Sequence, residues 1–263
     1  MNNAGRLSSQ KITSIRTPNT KNYFYYLYRM PQSSFLLFYL LILSTSVATA
    51  QHPLVGTWEM VSIAGVNVDG EKFNLDTTTI RETKIITPTH YILIAMDRDN
   101  GNWKFNRSYV GTTKFDGSKY YEIPVVSSNP IFENVKTDFD WKMVGDEFIQ
   151  SGTITRPDGK KIILDKFVFQ RSKIPPVADQ KFVGSWEAER TGVKSILIIT
   201  TTHWMFIEQQ NQKFSKAAGG VYNIKGNLAE LTVLYGSENE KHISAEIKGQ
   251  KINFNNLSYS RID

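Results

Sequence analysis

The chain has 263 residues, of which 40% are hydrophobic and 12% aromatic, so it is large enough for one large or two small domains with a sizeable core. It contains no cysteine, which excludes disulfides, thiolate metal sites and a thiol nucleophile. The formal net charge is +6, but residues 1–50 carry five basic side chains and no acidic one; subtracting these five from the 31 Lys and Arg leaves 26 against 25 acidic residues. A near-neutral remainder argues against nucleic-acid binding.

Residues 1–50 have the pattern of a secretory signal peptide. After the basic opening comes an uncharged apolar core at 35–43, which is too short to cross a bilayer as a helix. Ala48 and Ala50 supply the small side chains of a cleavage site, so we expect cleavage near Ala50. Translation from Met1 and from Met30 both fit this pattern, and an uncleaved anchor is the alternative. We expect a secreted or periplasmic protein, bacterial because exported eukaryotic domains more often carry disulfides, with no transmembrane segment in the mature chain.

Two stretches of the mature chain occur twice. Residues 56–59 read Gly-Thr-Trp-Glu and residues 184–187 read Gly-Ser-Trp-Glu, and the apolar, Thr-rich and His-containing run at 85–94 returns 113 positions later at 198–207. Such self-similarity indicates a duplicated unit. A proline-containing stretch without a strand pattern separates the copies. We therefore predict a first domain at 51–173, a linker at 174–180 and a second domain at 181–263.

Short runs of β-branched and aromatic residues, separated by turn residues, predict eight strands in the first unit. Phe139, Trp141 and Met143 alternate with charged residues, as expected for a sheet with one apolar face. This pattern is typical of an all-β protein built from antiparallel up-and-down barrels, which close to remove exposed edges. The predicted strands are Trp58 to Ile63, Thr79 to Ile86, His90 to Met96, Phe105 to Phe115, Tyr120 to Val126, Thr137 to Val144, Glu147 to Thr155 and Lys161 to Gln170.

The second unit is predicted to be a shortened barrel of six or seven strands. Its segment from Trp186 to His203 is fifteen residues shorter than the segment from Trp58 to His90 in the first unit. The difference falls at residues 64–76, which we expect to form a loop over the open end of the first barrel. If either barrel binds a ligand, the first should.

The duplicated Gly-x-Trp motif, paired each time with an arginine that ends the unit, resembles the signature of lipocalins and the wider calycin group. The residues are Gly56, Trp58 and Arg171 in the first unit, and Gly184, Trp186 and Arg261 in the second. The chain resembles secreted bacterial lipocalin-like proteins in particular. The resemblance implies tandem barrels, each closed at one end by a Trp with the Arg over its ring. It also implies an interior for a small, largely apolar molecule, and it implies neither an enzyme nor a cofactor.

Four residues, His90, Ile92, Tyr121 and Trp141, are candidate ligand contacts in the first barrel. Alternation, with the face that ends in Glu208 placed outside, predicts that His90, Ile92 and Ile94 point inward. His90 is then either a polar anchor in a ligand pocket or a structural imidazole at the start of a strand. Tyr121 and Trp141 fit ligand stacking or an ordinary core.

Glu122 and Glu230 follow the repeat at similar positions, and a carboxylate beside a histidine could act in acid–base chemistry. A solvated, outward-facing carboxylate is the competing interpretation. The four histidines show no metal-ligand spacing, so no metal site is predicted.

Three functional hypotheses follow. The first is an exported, non-enzymatic binding protein whose first barrel holds a small apolar or amphipathic molecule. The second is an accessory or interaction protein of polysaccharide capture and degradation, and the third is an enzyme that uses His90 and Glu122. The expected partner is a small molecule, apolar or saccharide, rather than nucleic acid, and the sequence does not determine the oligomeric state.

Overall fold

The structure, a computed structural model, describes residues 52–237 and 242–263, and the predicted signal peptide lies outside them. The described chain folds into two closed, eight-stranded antiparallel barrels in tandem, which confirms the predicted fold class. Throughout these ranges, no helix is long and apolar enough to cross a membrane.

Barrel 1 contains nine strands, eight of which close the barrel. Strands β1 and β3 to β9 follow one another around it, and β9 pairs back onto β1. The first half of β1 pairs with β3 and its second half with β2, an added strand. The strands are β1 Gly56–Val66, β2 Lys72–Asp76, β3 Ile80–Ile86, β4 His90–Asp99, β5 Asn102–Asp116, β6 Lys119–Ser127, β7 Thr137–Val144, β8 Glu147–Thr155 and β9 Lys161–Arg171, with a 3-10 helix at Pro130–Phe132.

Residues 64–76 are not the simple loop that the sequence suggested. The first three extend β1, and 72–76 form β2, which pairs antiparallel with it from Ser62 to Val66. Only the connection around Asn67 is a turn, where its side-chain oxygen accepts hydrogen bonds from the amides of Asp69 and Glu71, both at 2.9 Å. The additional residues 64–76 therefore extend the wall of barrel 1 at this end.

Barrel 2 also has eight strands, so the expectation of six or seven was wrong. Its chain is shorter because the strands and their connections are short, with β16 only four residues long. Closure by eight strands does not require long ones. The strands are β10 Gly184–Arg190, β11 Val193–Ile199, β12 His203–Gln210, β13 Lys213–Lys225, β14 Leu228–Gly236, β15 His242–Lys248, β16 Lys251–Phe254 and β17 Leu257–Arg261.

Each barrel is closed at one end by a buried tryptophan. The indole N–H of Trp58 donates to the carbonyl of Leu54 at 2.7 Å, and the guanidinium carbon of Arg171 lies 4.3 Å from the ring centroid. In barrel 2 the indole of Trp186 donates to Phe182 at 3.0 Å, and Arg261 lies 4.7 Å from the ring. The structure thus places each arginine over its tryptophan, as the family resemblance implies.

The glycine of the repeated motif makes room for that arginine. Gly56 has φ +142°, and a Cβ atom there would lie 2.5 Å from Nη1 of Arg171. Gly184 has φ +148°, and its Cβ would lie 2.9 Å from Nη2 of Arg261. Both the backbone conformation and the contact exclude a side chain, which explains why Gly precedes each Trp by two residues.

The two barrels pack against each other through the repeated stretch. In residues 85–94 and 198–207, every second side chain points into the interior of its own barrel. The side chains between them point outward and form an apolar cluster between the two barrels. The buried members of this inter-barrel cluster are Ile85, Ile92, Ile94, Met96, Val110 and Val126 from barrel 1, and Ile196, Ile198, Met205, Ile207 and Ala217 from barrel 2.

The contact between the barrels is reciprocal. The Thr57 hydroxyl lies 2.9 Å from the Thr200 hydroxyl, and the Thr87 hydroxyl lies 3.3 Å from that of Ser185. Thr57 and Ser185 occupy the same position in the two repeats, as do Thr87 and Thr200. An interface in which equivalent residues exchange partners is the intrachain counterpart of a twofold, isologous dimer contact.

Candidate ligand-binding site

A cavity of about 470 Å³ lies inside barrel 1. Apolar side chains such as Leu93, Phe139 and Phe167 form much of its wall. It reaches the end of the barrel where β1 pairs with β2, since its lining includes Leu75, which is 37% exposed, and Asn129 beside the 3-10 helix. The size and the mainly apolar wall are typical of small-molecule sites.

Three polar side chains, here called the inner cluster, project into this cavity: Lys84 of β3, Glu122 of β6 and Gln150 of β8. The Lys84 ammonium donates to a Glu122 carboxylate oxygen at 2.7 Å and lies 3.4 Å from the Gln150 side-chain oxygen. Lys84 and Gln150 are each 1% exposed and Glu122 is 6% exposed. Charged groups buried to this degree are stable only when paired, and here they are.

Aromatic rings surround the Lys84 ammonium. Five ring centroids lie 5.1 to 5.9 Å from Nζ, the nearest being that of Phe169. The ring faces add a favourable electrostatic contact to a cation already paired with Glu122. Burial and then the negative charge of Glu122 raise the pKa of the Tyr120 phenol, so the phenol stays protonated. The other four rings belong to Tyr91, Tyr120, Phe139 and Phe167.

A second ion pair, here called the outer pair, lies farther from Trp58 along the barrel. Arg107 of β5 donates from Nη2 to Oε2 of Glu82, two residues before Lys84 on β3, at 2.8 Å. Burial alone would lower the pKa of Arg107, but the charge and hydrogen bond of Glu82, together with the nearby Tyr109 and Asp97, more than offset burial and raise that pKa. Glu82 is 3% exposed, and its other oxygen, Oε1, has no hydrogen-bond partner within the protein.

Barrel 2 fills the positions of the inner cluster with apolar side chains. Trp58 pairs with Lys84, and Trp186 pairs with Leu197. By the registers of the matching hairpins, Leu231 takes the position of Glu122, and Phe254 takes that of Gln150. All three replacements are buried in the interior of barrel 2. The duplicated fold therefore does not require a polar interior, and the inner cluster is specific to barrel 1.

The outer pair is altered in barrel 2 as well. Ser195 takes the position of Glu82, and Lys216 that of Arg107. The Ser195 hydroxyl accepts a hydrogen bond from the Tyr259 phenol at 2.7 Å inside the barrel. No carboxylate is buried at this position in barrel 2.

The predicted ligand residues lie elsewhere. Ile92 and Ile94 belong to the inter-barrel cluster, while Tyr91 and Leu93 point into barrel 1, so the inward orientation predicted for His90 and Ile92 was wrong. The charge that placed the opposite face outside, Glu208, ends an inward-facing run of Trp204 and Phe206. Both faces of these strands are buried, and alternation cannot then identify the interior.

The remaining candidates do not line the cavity either. Tyr121 lies on the outer face of β6, where the Lys136 ammonium sits 4.3 Å from its ring centroid. Trp141 packs against the interior cluster of barrel 1, and its ring meets that of His52 edge-on at 5.2 Å. None of His90, Ile92, Tyr121 and Trp141 is among the cavity-lining residues.

Glu122 is not a solvated, outward-facing carboxylate, and it does not correspond to Glu230. The hairpin registers place Leu231 at its position, whereas Glu230 faces solvent and pairs with Lys225 at 2.8 Å. A shift of one residue reverses the face of a strand. Since Glu122 points into barrel 1 and His90 lies on the opposite side of the wall, the structure does not bring the proposed acid–base pair together.

His90 and His203 lie at equivalent positions in two turns of the same kind, one in each barrel. The His90 ring lies 2.8 Å from the Thr89 hydroxyl, and the His203 ring lies 2.9 Å from the Thr202 hydroxyl. In each copy the backbone amide two residues before that threonine donates to the histidine carbonyl at 2.8 Å. The structural interpretation of the imidazoles therefore fits better than the ligand anchor.

His203 also borders a cavity of about 400 Å³ between the barrels. The residue is 2% exposed, and burial lowers the pKa of its imidazole to about 4, although the nearby Glu59 charge opposes this shift. The ring is therefore neutral at pH 7.

Sequence inspection missed Lys84, Glu82 and Arg107. A signal was present for two of them, because Glu82 and Lys84 fall on the same face of a strand that also carries Ile80 and Ile86. Alternating charged residues on an apolar face indicate a buried ion pair only when partners are known. Those partners come from β5 and β6, which only the topology brings opposite β3.

No family model and no curated protein matches the chain. Among solved structures, the chain is similar to the uncharacterized protein YLR301w from Saccharomyces cerevisiae, with a TM-score of 0.50 and 10% identity over 79% of this chain and 98% of that one. It also matches a protein of unknown function from the DUF3598 family of Nostoc punctiforme, with a TM-score of 0.25 and 11% identity over 80% and 81% of the two chains. At 10% identity the yeast protein shows likeness of fold alone. Two antiparallel eight-stranded barrels in tandem fit a lipocalin-like fold.

Proposed function

We propose that this chain is an exported, non-enzymatic binding protein of the lipocalin-like type, in which barrel 1 holds a small apolar or amphipathic molecule. One observation carries the proposal: barrel 1 keeps a cavity of about 470 Å³ with buried polar groups, where barrel 2 has Leu197, Leu231 and Phe254. A buried ion pair contributes little net stability compared with well-packed apolar residues. Its presence beside a cavity supports a role in ligand recognition.

Barrel 2 supports barrel 1 in this proposal. Its interior is packed with large apolar side chains, among them Trp204 and Phe206, both fully buried. Its outer face covers the apolar outer face of β3 to β5 through the inter-barrel cluster. Barrel 2 therefore stabilises the wall that carries Lys84 and Glu82.

A thermal-shift screen of the protein with hydrophobic and amphipathic probes tests the binding role. A true ligand at a hundredfold excess over its dissociation constant should raise the free energy of unfolding by about 2.7 kcal/mol. Leu93→Trp, which places a larger side chain in the cavity, should abolish the shift. Lys114→Trp is the matched control, because Lys114 is exposed on the same barrel. A shift that survives Leu93→Trp, or a response to oligosaccharides alone, would contradict the proposal.

Export is tested separately. The apolar core at 35–43 and the small residues Ala48 and Ala50 support cleavage after Ala50. Expression of the full chain in a bacterial host, followed by amino-terminal sequencing of the fractionated product, should give a chain that begins at Gln51 in the periplasm or medium. A chain that keeps its first fifty residues in the membrane fraction would identify an uncleaved anchor instead.

A further inference from the structure

Glu82 carries a buried hydrogen-bond acceptor with nothing to accept. Its Oε2 receives the Arg107 guanidinium at 2.8 Å, whereas its Oε1 has no partner within the protein. The side chain is 1% exposed, and it lines the cavity of barrel 1. A buried carboxylate oxygen without a donor is unfavourable, so the site is chemically complete only when something in the cavity donates an N–H or O–H to it.

The charges around the cavity already neutralise one another. Among the described lining residues, the charged side chains form two pairs, Lys84 with Glu122 and Arg107 with Glu82. An anionic head group would find no unpaired cation and would lie beside the free oxygen of Glu82. A cationic head group would add an uncompensated charge next to Arg107 and Lys84. Both arrangements are penalised in a buried site.

We propose that the molecule held in barrel 1 is uncharged and amphipathic, with a hydroxyl or amide group that donates a hydrogen bond to Oε1 of Glu82. This inference rests on the proposed binding function and adds the chemical class of the ligand. The rest of the molecule lies against the apolar wall that includes Leu93, Phe139 and Phe167. Glu82 is the selecting residue, because barrel 2 has Ser195 at the same position and satisfies it internally through Tyr259.

Four ligands with one chain length separate the possibilities: 1-decanol, decanamide, decanoate and decylamine, titrated by calorimetry into the full chain at pH 7.4. The alcohol and the amide should bind about tenfold or more tightly than either ion, which is the difference expected for one buried hydrogen bond against one uncompensated charge. Tighter binding of decanoate or decylamine would overturn the uncharged head group while leaving the binding function intact. If none of the four binds, both proposals fail.

Glu82→Gln tests the assigned residue. This change leaves Arg107 unpaired and gives the cavity a positive charge, so the affinity for decanoate should rise while that for 1-decanol falls, and the order of preference should reverse. Glu230→Gln removes an exposed carboxylate from barrel 2 and should leave all four affinities unchanged. Unchanged affinities in Glu82→Gln would mean that water rather than ligand satisfies Oε1, which contradicts the assignment. The comparison of ligands on the unmodified chain remains decisive if Glu82→Gln does not fold.

Discussion

The Lys84 ammonium lies 2.7 Å from the Glu122 carboxylate inside barrel 1, and their side chains are 1% and 8% exposed. The two residues come from β3 and β6, which are not neighbours in the sheet, so the pair spans the barrel interior. At the same positions barrel 2 joins Leu197 and Leu231 in one apolar core. The same fold thus places a buried ion pair at these positions in barrel 1 and two leucines in barrel 2.

Replacing one partner of this pair should cost far more than replacing both. Lys84→Leu leaves Glu122 buried and unpaired, and we expect a loss of about 3–5 kcal/mol in the free energy of unfolding. The double variant Lys84→Leu/Glu122→Leu copies barrel 2, and we expect it to stay within about 2 kcal/mol of the unmodified protein. Chemical denaturation of the three proteins measures this difference.

The exposed pair of Lys225 and Glu230 provides the control. Its atoms lie 2.8 Å apart, nearly as close as those of the buried pair, but both side chains are exposed to solvent, so Lys225→Leu should change stability by no more than about 1 kcal/mol. If the double variant in barrel 1 were as unstable as the single one, the pair would be a structural requirement of the barrel, and its link to binding would lose its support.

Arg171 should stabilise the closed end of barrel 1 despite its exposure. Besides covering Trp58, its guanidinium donates to the carbonyl of Pro53 at 2.7 Å and to that of Val55 at 3.2 Å. Arg171→Ala should lower the free energy of unfolding by about 1–3 kcal/mol, from the lost cation–π contact and hydrogen bonds together. Arg171→Lys keeps a cation but not the planar fork and should lose less. Arg190→Ala, also at an exposed strand end, should have an effect within about 0.5 kcal/mol.

The motif residues were predictable because their signal is local and repeated. Gly56, Trp58 and Arg171 each act through a distinct property, namely absence of a side chain, a large buried ring and a planar cation, and each recurs in the second unit. The turns were predictable in the same way: Gly117 and Gly145 fall between predicted strands, and both have the positive φ that glycine accommodates in turns. The turns depend on neighbouring residues alone, whereas the contact of Arg171 with Trp58 was expected from the family resemblance.

The orientation of the repeated strands was not predictable in the same way. Alternation reports which face is buried only when the other face is solvated. In β4 six consecutive residues after His90 are buried, and in β12 five consecutive residues from His203 are. The outer face of each strand is buried by the other barrel, which is distant in sequence. The sequence of the strand alone therefore does not indicate which face points into its own barrel. Lys84 and Glu82 were missed because their partners, Glu122 and Arg107, lie on distant strands that only the fold brings opposite β3.

Isoleucines on the outer face of barrel 2 should behave as core residues. Ile198 is fully buried, although it points away from the interior of its own barrel. Ile198→Ala should therefore destabilise the protein by about 2–5 kcal/mol, as for a deletion in a packed core. Val144→Ala, at an outward position that is 52% exposed, should change stability by less than about 0.5 kcal/mol. Equal, small effects of the two changes in urea denaturation would show that the barrels separate readily in solution.

Acidification should destabilise the contact between the barrels through His203. Burial lowers the pKa of its imidazole to about 4 in the folded protein, against about 6.5 in the unfolded chain. Between these values the unfolded state binds the proton and the folded state does not, so the contribution of His203 is fully present above pH 6.5 and is lost as the pH falls to 4. The shift corresponds to about 3 kcal/mol.

The measurement is the free energy of unfolding of the unmodified protein and of His203→Gln at several values of pH between 7.5 and 4. Gln does not titrate, so the variant should lose less stability on acidification, and the two curves should converge toward pH 4. His90→Gln should change the slope less, because His90 is only half-buried and the charges of Asp263 and Glu187 oppose the lowering of its pKa. Parallel curves for the unmodified protein and His203→Gln would mean that the imidazole takes up its proton in the folded state without penalty, and that the cavity beside it admits water.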